Sequence, residues 1–440
     1  MSSPLTLPPG DNGWPLLGHT LSALSDIYAF LSKRREKYGA CFRARILGKD
    51  VAFLYGPEGS EVFLDDDRVT REQAHPTHVR DLFGGVNMNM YSGPRHFALK
   101  SMALQAFDAA AISSYLPDMQ QLVTATLERI GTGKECRAVD ETRGLAIQAI
   151  CKNVMGVGPG PVAEALRRDY ELVTAGMLSV PVPLPGTTYT RARAARDRIF
   201  AVFRQMIADR RASAGTDGLS LILSARSADG RVYTDDEAIL ELHHIVIAGY
   251  IVFGLMIELF VRFERDAGLR DQVAAEVASV CPAGPITASA LARMPLLARV
   301  VQEAKRTAPV LPLAFGRARR TFEFAGYTIP EGWGVWWALS LSNHDPEVFA
   351  APKTFDPGRY AEGRAEDQKH PHAWVPQGSG PMTGHKCLGF DYSSALVSVF
   401  AIVLLRDYRF TIPEQNLDYF WNRTPAEPRD GLRIRIDRRA

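Results

Sequence analysis

The stretch GSGPMTGHKCLG, Gly378 to Gly389, places one cysteine between a glycine-rich approach and an apolar helical pattern. The pattern predicts a helix because Leu388, Tyr392, Leu396 and later apolar residues recur every three to four positions. A cysteine just before a helix lies where free backbone N–H groups and the helix dipole favour a thiolate. By itself Cys387 decides little, since a lone cysteine is more often an inert, small apolar side chain.

The composition is that of a globular protein, with 440 residues of which 46% are hydrophobic and 23% charged. The net charge of +2, from 51 basic and 49 acidic residues, offers no bulk attraction for nucleic acid or an anionic membrane. Five widely spaced cysteines favour a reducing compartment. Without a signal peptide or a clean membrane-spanning run, we expect a soluble, cytoplasmic protein with no membrane anchor and no nucleic-acid partner.

No repeat or flexible linker divides the chain, so we predict a single domain over residues 1–440. Residues 41–55 alternate as two strands joined by a Gly-Lys-Asp turn. Helical periodicity dominates afterwards, at 109–131, 138–155, 192–212, 235–265 and 291–307, and short strand patterns return at 322–327 and 335–338. The predicted class is therefore mainly α with a small β region.

A second motif lies in the predicted helix 291–307, where Glu303 and Arg306 are three residues apart and share one face. An exposed pair of this kind contributes only about 0.3–0.5 kcal/mol. The neighbouring valines indicate burial instead, and a buried carboxylate needs partners. Arg359, in FDPGRY ahead of the glycine-rich loop, is the candidate third member of a buried network behind Cys387.

Further motifs follow in order along the chain. They are PPGDNGWPLLG at 8–18, GPRHFALKSMALQAF at 93–107, MPLLARVVQEAKRTAPVLP at 294–312, GRARRTFEFAGYTIPEGWGV at 316–335 and NHDPEVFAAPKTFDPGRY at 343–360. Together with the cysteine loop they resemble the cytochrome P-450 family of heme-thiolate enzymes. The resemblance implies the family's triangular-prism fold, mainly α with a small β region, and bound heme b.

By the same resemblance Cys387 is the axial ligand of the heme iron, and Glu303, Arg306 and Arg359 form the family's charged triad. The resemblance also assigns cofactor-binding positions to His96, Lys100, Arg317, His385, Gly380 and Gly389. Of these, the two histidines, the lysine and the arginine stand where family members contact the heme propionates.

The cysteine loop departs from the family pattern in two places. Gln377 stands where a phenylalanine is usual, and Pro381 to Gly384 fill a gap that normally holds one residue. The insertion predicts a loop that bulges behind the sulfur.

The long helix departs further. The family's dioxygen-activating members carry an acid and an alcohol that relay protons, but here the aligned residues are Ile251 and Val252, after Ala248 and Gly249. Val246 to Met256 contains no Asp, Glu, Ser or Thr in any register. We expect these four residues to form an apolar distal wall beside the reacting centre.

Gln377, the extended loop and the missing relay resemble the family's branch that uses hydrogen peroxide on fatty acids. That branch carries an Arg-Pro pair, whose place falls on Ile247-Ala248 in one register and on His243-His244 in another. No arginine lies between Arg231 and Arg262, so His243 becomes the candidate replacement. The competing interpretation is an ordinary core histidine.

The resemblance predicts an oxidoreductase for a small-to-medium apolar substrate, performing a tailoring oxidation with substrate-assisted proton delivery. A peroxide-dependent peroxygenase and a heme-thiolate isomerase, cyclase or dehydratase remain alternatives. The partners implied are a ferredoxin and reductase as electron donors, or hydrogen peroxide. Lys386 and Arg406 are candidate docking residues for a ferredoxin, with ordinary solvated surface charges as the alternative. Two less favoured hypotheses are an inactive heme protein and a zinc site built from His370, His372, His385 and Cys387.

Overall fold

Helices make up most of the fold, which is known from a computed structural model that describes residues 6–439. The α-helices span Thr20–Ser25, Ile27–Tyr38, Gly56–Leu64, Thr77–Leu82, Gly93–Ala103, Ala109–Ile130, Ala138–Met155, Pro161–Met177, Thr188–Ala212, Gly218–Ser224, Asp235–Tyr250, Phe253–Arg265, Ala267–Val280, Ala288–Ala292, Pro295–Thr307, Leu339–Ser342 and Phe390–Asp407. The helices predicted at 109–131 and 138–155 are confirmed almost to the residue. The one predicted at 192–212 starts earlier, at Thr188, because the Thr187 side chain caps it.

The β structure is small and lies mostly in one sheet. The strands are Gly10–Asp11, Cys41–Ile46, Lys49–Leu54, Val69–Thr70, Thr132–Arg137, Ala314–Ala318, Phe322–Phe324, Tyr327–Ile329, Gly334–Trp337, Tyr408–Thr411, Tyr419–Phe420, Glu427–Pro428 and Arg433–Arg438. The main sheet has six strands, in the order 10–11, 41–46, 49–54, 334–337, 314–318, 69–70. The predicted hairpin at 41–55 is confirmed, with Cys41 opposite Leu54, but the turn lies at Leu47-Gly48, both at positive φ. The predicted Gly-Lys-Asp turn is wrong, because Lys49 and Asp50 already pair in the second strand.

The segment predicted as one helix over 235–265 is two helices, Asp235–Tyr250 and Phe253–Arg265. We call Asp235–Tyr250 the central helix. Between them Val252 N–H bonds to Gly249 O and Leu255 N–H to Val252 O, so the chain tightens into i→i−3 bonds. By length and composition Asp235–Arg265 could cross a bilayer, but 83% of its most apolar window is buried inside the fold. It is therefore a core element.

The helix Phe390–Asp407 that follows Cys387 is surrounded by the main hydrophobic core. Its apolar residues are almost all buried, and it packs against Ala109–Ile130, Pro295–Thr307 and Phe253–Arg265. This packing places the cysteine loop beside the helix that carries Glu303.

Candidate active site

The charged side chains behind the cysteine loop form a closed, buried network. Glu303 Oε1 accepts from Arg306 Nη2 at 2.7 Å and from Arg359 Nε at 3.0 Å, and the side chains of all three are fully buried. Burial opposes ionisation of Glu303, but pairing with Arg306 outweighs it and lowers the pKa of the carboxyl group. The structure thus brings together the three residues that the sequence singled out.

A fourth member of the network was missed in the sequence. Glu366 Oε2 lies 2.6 Å from Arg359 Nη1, so the second arginine charge is also paired. Both arginines further donate to backbone carbonyls, including those of Ala350, Pro352 and Thr354. These bonds tie the segment before the cysteine loop to the helix Pro295–Thr307. The only local signal for Glu366 is its spacing of seven residues from Arg359, which is too common to be diagnostic.

The cysteine loop, residues 378–389, wraps the sulfur in backbone and amide donors. Cys387 N–H donates to Gln377 O at 2.9 Å, and Gln377 Nε2 lies 3.7 Å from Cys387 Sγ. Burial raises the pKa of the Cys387 thiol, while the Gly389 N–H and nearby lysines oppose that rise. Pro381 to Gly384 form a turn closed by Gly384 N–H on Pro381 O at 2.8 Å, which is the form the bulge takes.

The two loop glycines at predicted cofactor-binding positions, Gly380 and Gly389, differ in conformation. Gly380 adopts φ 87°, the left-handed region that suits glycine, with open space on its Cβ side. Gly389 has an ordinary φ of −85°, and a Cβ there would make an ordinary contact with Cys387 Sγ at 3.9 Å.

Lys305 is a buried cation on the cysteine side that the sequence reasoning overlooked. It is 4% exposed, its Nζ donates to Phe390 O at 2.7 Å, and it lies 3.9 Å from the centre of the Phe390 ring. Burial lowers the pKa of Lys305 to about 7, although the Cys387 charge favours the ammonium form. In the sequence, its position between the triad residues Glu303 and Arg306 could have indicated a buried cation at Lys305.

Three of the four residues at the predicted propionate positions converge beside the loop. The His96 and His385 rings stack with centres 4.1 Å apart, and Lys100 Nζ donates to the carbonyls of Gly384 and Lys386. His96 differs from expectation in that both its ring nitrogens face backbone carbonyls, of Met88 at 2.8 Å and Gly384 at 3.1 Å.

Arg317, the fourth propionate position, lies apart from this group. It is on the strand Ala314–Ala318, where its Nε donates to Gly332 O at 3.3 Å. Arg71 comes closer to the group: it is 3% exposed and donates to Phe63 O at 2.9 Å. Its charge lowers the pKa of His385 and of His75, after the larger effect of their burial. Arg71 is therefore a further cation beside this group, and it follows Thr70, which pairs with Arg317 across the sheet.

A cavity of about 1180 Å³ opens in front of Cys387. Ala248, Gly249, Ile251 and Val252 line it, as expected. Other parts of the wall come from residues 71–89, 174–179, 310–315 and 419–421, among further segments of the chain. Most of these side chains are apolar, so the cavity suits an apolar molecule.

Gly249 has a packing role that the sequence did not indicate. A Cβ at this position would lie 2.5 Å from Ile150 Cγ1, on the helix Ala138–Met155. Glycine is needed there because two helices approach closely, whether or not the cavity needs the space.

His243 and His244 point in different directions, and the expectation for His243 must be corrected. His243 is fully buried, stacks on Tyr170 and has ring nitrogens 3.1 Å from the Tyr170 hydroxyl and from Leu82 O. It is a core histidine. His244 is the one that lines the cavity, with Nε2 2.7 Å from Asn89 Nδ2. Adjacent residues of a helix are rotated by about 100°, and here that rotation directs His243 into the core and His244 to the cavity.

The zinc hypothesis finds no support in the residues described. Within 6–439, no group of three or more His, Cys, Asp or Glu side chains is arranged to hold a metal ion. His372 Nδ1 is 2.8 Å from Ser379 Oγ, and His385 is stacked on His96.

The arrangement does fit a flat anionic cofactor with a metal at its centre. The half-buried Cys387 thiol lies at the cavity wall, and Lys100 and Arg71, which also line the cavity, supply positive charge. His385 Nε2 is buried and lies 3.8 Å from Asp66 Oδ1, beyond hydrogen-bond distance, with no other partner among the described residues. A carboxylate of a bound cofactor would supply the acceptor that His385 Nε2 lacks and a negative charge for Lys100 and Arg71.

Comparison with known proteins identifies the same family that the sequence motifs resemble. Residues 8–423 match the family model described as cytochrome P450. The chain is 28% identical to putative cytochrome P450 120 of Synechocystis over 98% of its own length and 97% of that protein. It is 26% identical to abscisic acid 8'-hydroxylase 4 of Arabidopsis thaliana, covering 94% and 89% of the two chains.

A solved structure of retinoic acid bound cyanobacterial CYP120A1 superposes with a TM-score of 0.92 at 27% identity, covering 99% of this chain and 100% of the other. The fold, the residues around Cys387 and the length over which the chain matches its relatives all indicate the same family. This chain belongs to the cytochrome P450 family and is a heme-thiolate oxidoreductase that binds heme b.

Proposed function

We propose that this protein carries out a tailoring oxidation of a small-to-medium apolar molecule, by hydroxylation, epoxidation or oxidative cyclisation, with a proton route that involves the substrate. The observation that carries the proposal is the distal wall. Ile251 and Val252 line the cavity where dioxygen-activating members carry an acid and an alcohol, and neither can donate a proton. A polar group of the substrate then completes the route.

In this proposal Cys387 is the axial ligand, and Lys100, Arg71 and His385 bind the propionates. When bound, the heme supplies the oxidation chemistry, and its thiolate ligand favours O–O cleavage. The residues of the chain do the remaining work. Glu303 and its arginines keep the loop in place, Gln377 donates toward the sulfur, and the apolar wall excludes water and orients the substrate.

The relatives support an apolar substrate of this size. One is named for hydroxylating abscisic acid, and another was solved with retinoic acid. Both molecules are largely hydrocarbon, which suits the mostly apolar wall of the cavity that heme and substrate would share. We further propose that the enzyme works in the cytoplasm and receives electrons from a ferredoxin, with Lys386 at the docking face.

A peroxide-dependent reaction is the second candidate. Gln377 at the sulfur and the turn at Pro381 to Gly384 are the features that favour it, because they resemble the peroxide-using branch. Hydrogen peroxide arrives already reduced and protonated, so the missing relay would carry no penalty.

One experiment separates the two. The heme-loaded enzyme is given a panel of apolar acids, alcohols and hydrocarbons, either with NADPH, ferredoxin and reductase or with hydrogen peroxide alone. Turnover with the reductase system limited to substrates that carry a polar group would support substrate assistance. Fast turnover with peroxide alone would favour the peroxygenase. Efficient dioxygen-dependent oxidation of unsubstituted hydrocarbons would contradict the first proposal.

A further inference from the structure

One corner of the apolar cavity is polar. His244 lines the cavity from the central helix, one turn before Ala248, and Asn89 lines it from the facing segment. Asn89 Nδ2 and His244 Nε2 are 2.7 Å apart. Behind them lies Glu241, which is 2% exposed and accepts from Met88 N–H at 2.6 Å through Oε1. We call Glu241, His244 and Asn89 the polar corner.

The polar corner contains hydrogen-bonding capacity that the fold does not use. Glu241 Oε2 and His244 Nδ1 are buried and have no hydrogen-bond partner among the described residues, although they lie 3.8 Å apart. His75 also lines the cavity, and its buried Nδ1 likewise has no hydrogen-bond partner among the described residues. His244 Nδ1 and Glu241 Oε2 face each other, so the polar groups that remain for a ligand are the Asn89 amide and the His244 ring where they line the cavity. A purely apolar ligand would desolvate these groups without giving them a partner, which is costly, so the corner favours a ligand with a polar group.

The charges in the corner decide which polar group fits. Burial raises the pKa of Glu241, and the His244 imidazole, 3.8 Å from Oε2, opposes that rise and favours the carboxylate. Arg71 donates to the carbonyls of Phe63 and Val69 and, in the proposed function, binds the heme propionates, so it is not the partner of a ligand carboxylate at His244. A ligand carboxylate at His244 would therefore share the imidazole with the Glu241 carboxyl group, in a site shielded from water, which is unfavourable. A neutral group that both donates and accepts carries no such cost.

From this geometry we propose that the polar corner binds a hydroxyl group of the apolar substrate. Asn89 and His244 contact the hydroxyl, and Glu241 is a positioning residue that holds His244 and disfavours carboxylates. The inference rests on the proposed function, and it names the substrate group that would assist proton delivery. It also separates this chain from its relative solved with retinoic acid.

The test uses three ligands with one skeleton: retinol, retinoic acid and retinyl methyl ether. Their dissociation constants for the full-length, heme-loaded enzyme are measured by tryptophan quenching and calorimetry. We expect retinol to bind about tenfold more tightly than the ether, and more tightly than the acid. In His244→Phe the difference between retinol and ether should disappear, whereas His370→Phe serves as the matched control and should change neither value.

Glu241→Gln gives the sharper result, because glutamine can still accept from Met88 N–H but carries no charge. We expect this variant to bind retinoic acid more tightly than the wild type. Tighter binding of retinoic acid than of retinol by the wild type, or unchanged ligand ratios in both variants, would overturn the proposal. If His244→Phe loses heme, Glu241→Gln alone decides. Failure of the oxidation assay with intact binding ratios would count against the proposed function instead.

Discussion

The side-chain amide of Gln377 lies against the sulfur of Cys387, with 3.7 Å between Nε2 and Sγ. The backbone joins the same two residues, since Cys387 N–H donates to Gln377 O at 2.9 Å. A hydrogen-bond donor at a thiolate withdraws electron density from it and so tunes the metal that the sulfur ligates.

Replacing this amide should change the redox potential of the heme. In Gln377→Phe the sulfur loses a donor of about 0.5–1.5 kcal/mol, so the potential should become more negative by roughly 20–60 mV. Spectroelectrochemical titration measures it, with exposed Gln205→Leu as the control. A potential equal to that of the wild type would show that the amide does not act on the sulfur.

Cys387→Ala should remove the thiolate signature. The ferrous–carbonyl complex of the wild type should show the red-shifted Soret band of a sulfur-ligated heme, and the variant should not. Cys281→Ala is a suitable control, because that buried cysteine lies in the core away from the loop. Persistence of the red-shifted band in Cys387→Ala would contradict the assignment.

Glu303→Ala should unfold the region behind the loop. The variant would leave Arg306 buried without a carboxylate and Arg359 with Glu366 alone, at a cost of about 3–5 kcal/mol. We expect a large loss of heme content and a lower midpoint of urea unfolding. The exposed Glu362→Gln should behave as the wild type; near-normal stability of Glu303→Ala would mean that the arginines find other partners.

Introducing an acid and an alcohol at positions 251 and 252 should widen the range of substrates that the enzyme oxidises. Ile251→Glu with Val252→Thr restores an acid and an alcohol at the cavity wall, and positioned acid–base groups contribute about a hundredfold or more. With a reductase system, substrates lacking a polar group should then turn over at least about tenfold faster. The conservative pair Ile251→Leu with Val252→Ala controls for the change in shape. No gain over that control would indicate that proton supply does not limit the rate.

His243→Gln should weaken the acid sensitivity of the fold. Burial lowers the pKa of His243 to about 3, far below the usual 6.5. Between these values the unfolded chain binds a proton that the folded chain does not, so stability is lost as the pH falls. Urea unfolding from pH 6.5 to 4 should show a slope shallower than the wild type by up to about 1.4 kcal/mol per pH unit. His370→Gln should leave the slope unchanged; an equally steep slope in His243→Gln would contradict the core assignment.

Local chemistry made much of the site predictable. Glu303, Arg306 and Arg359 were identifiable because a buried carboxylate and two guanidinium groups must pair, and the structure pairs them. The turn at Pro381 to Gly384 followed from the inserted residues themselves.

Long-range packing decided the rest. Arg71 acts on His385, which is far away in the sequence, and Glu366 pairs with Arg359 outside any recognisable motif. The spacing of residues along the chain therefore gave no sign of either one. The apolar segment 235–265 is divided into two helices by i→i−3 hydrogen bonds at Val252. The periodicity of apolar residues gives no information about such bonds.

By itself the sequence determined the family, the cysteine, the buried charged network and the lack of a proton relay, because each depends on residue types in a fixed order. Only the tertiary structure decided which of His243 and His244 faces the cavity, since adjacent helical residues differ by 100° and a slight rotation of the central helix would exchange them. It also joined Glu241 and Asn89, more than 150 residues apart, into one polar corner. Contacts between distant segments are made by packing, and no local pattern encodes them.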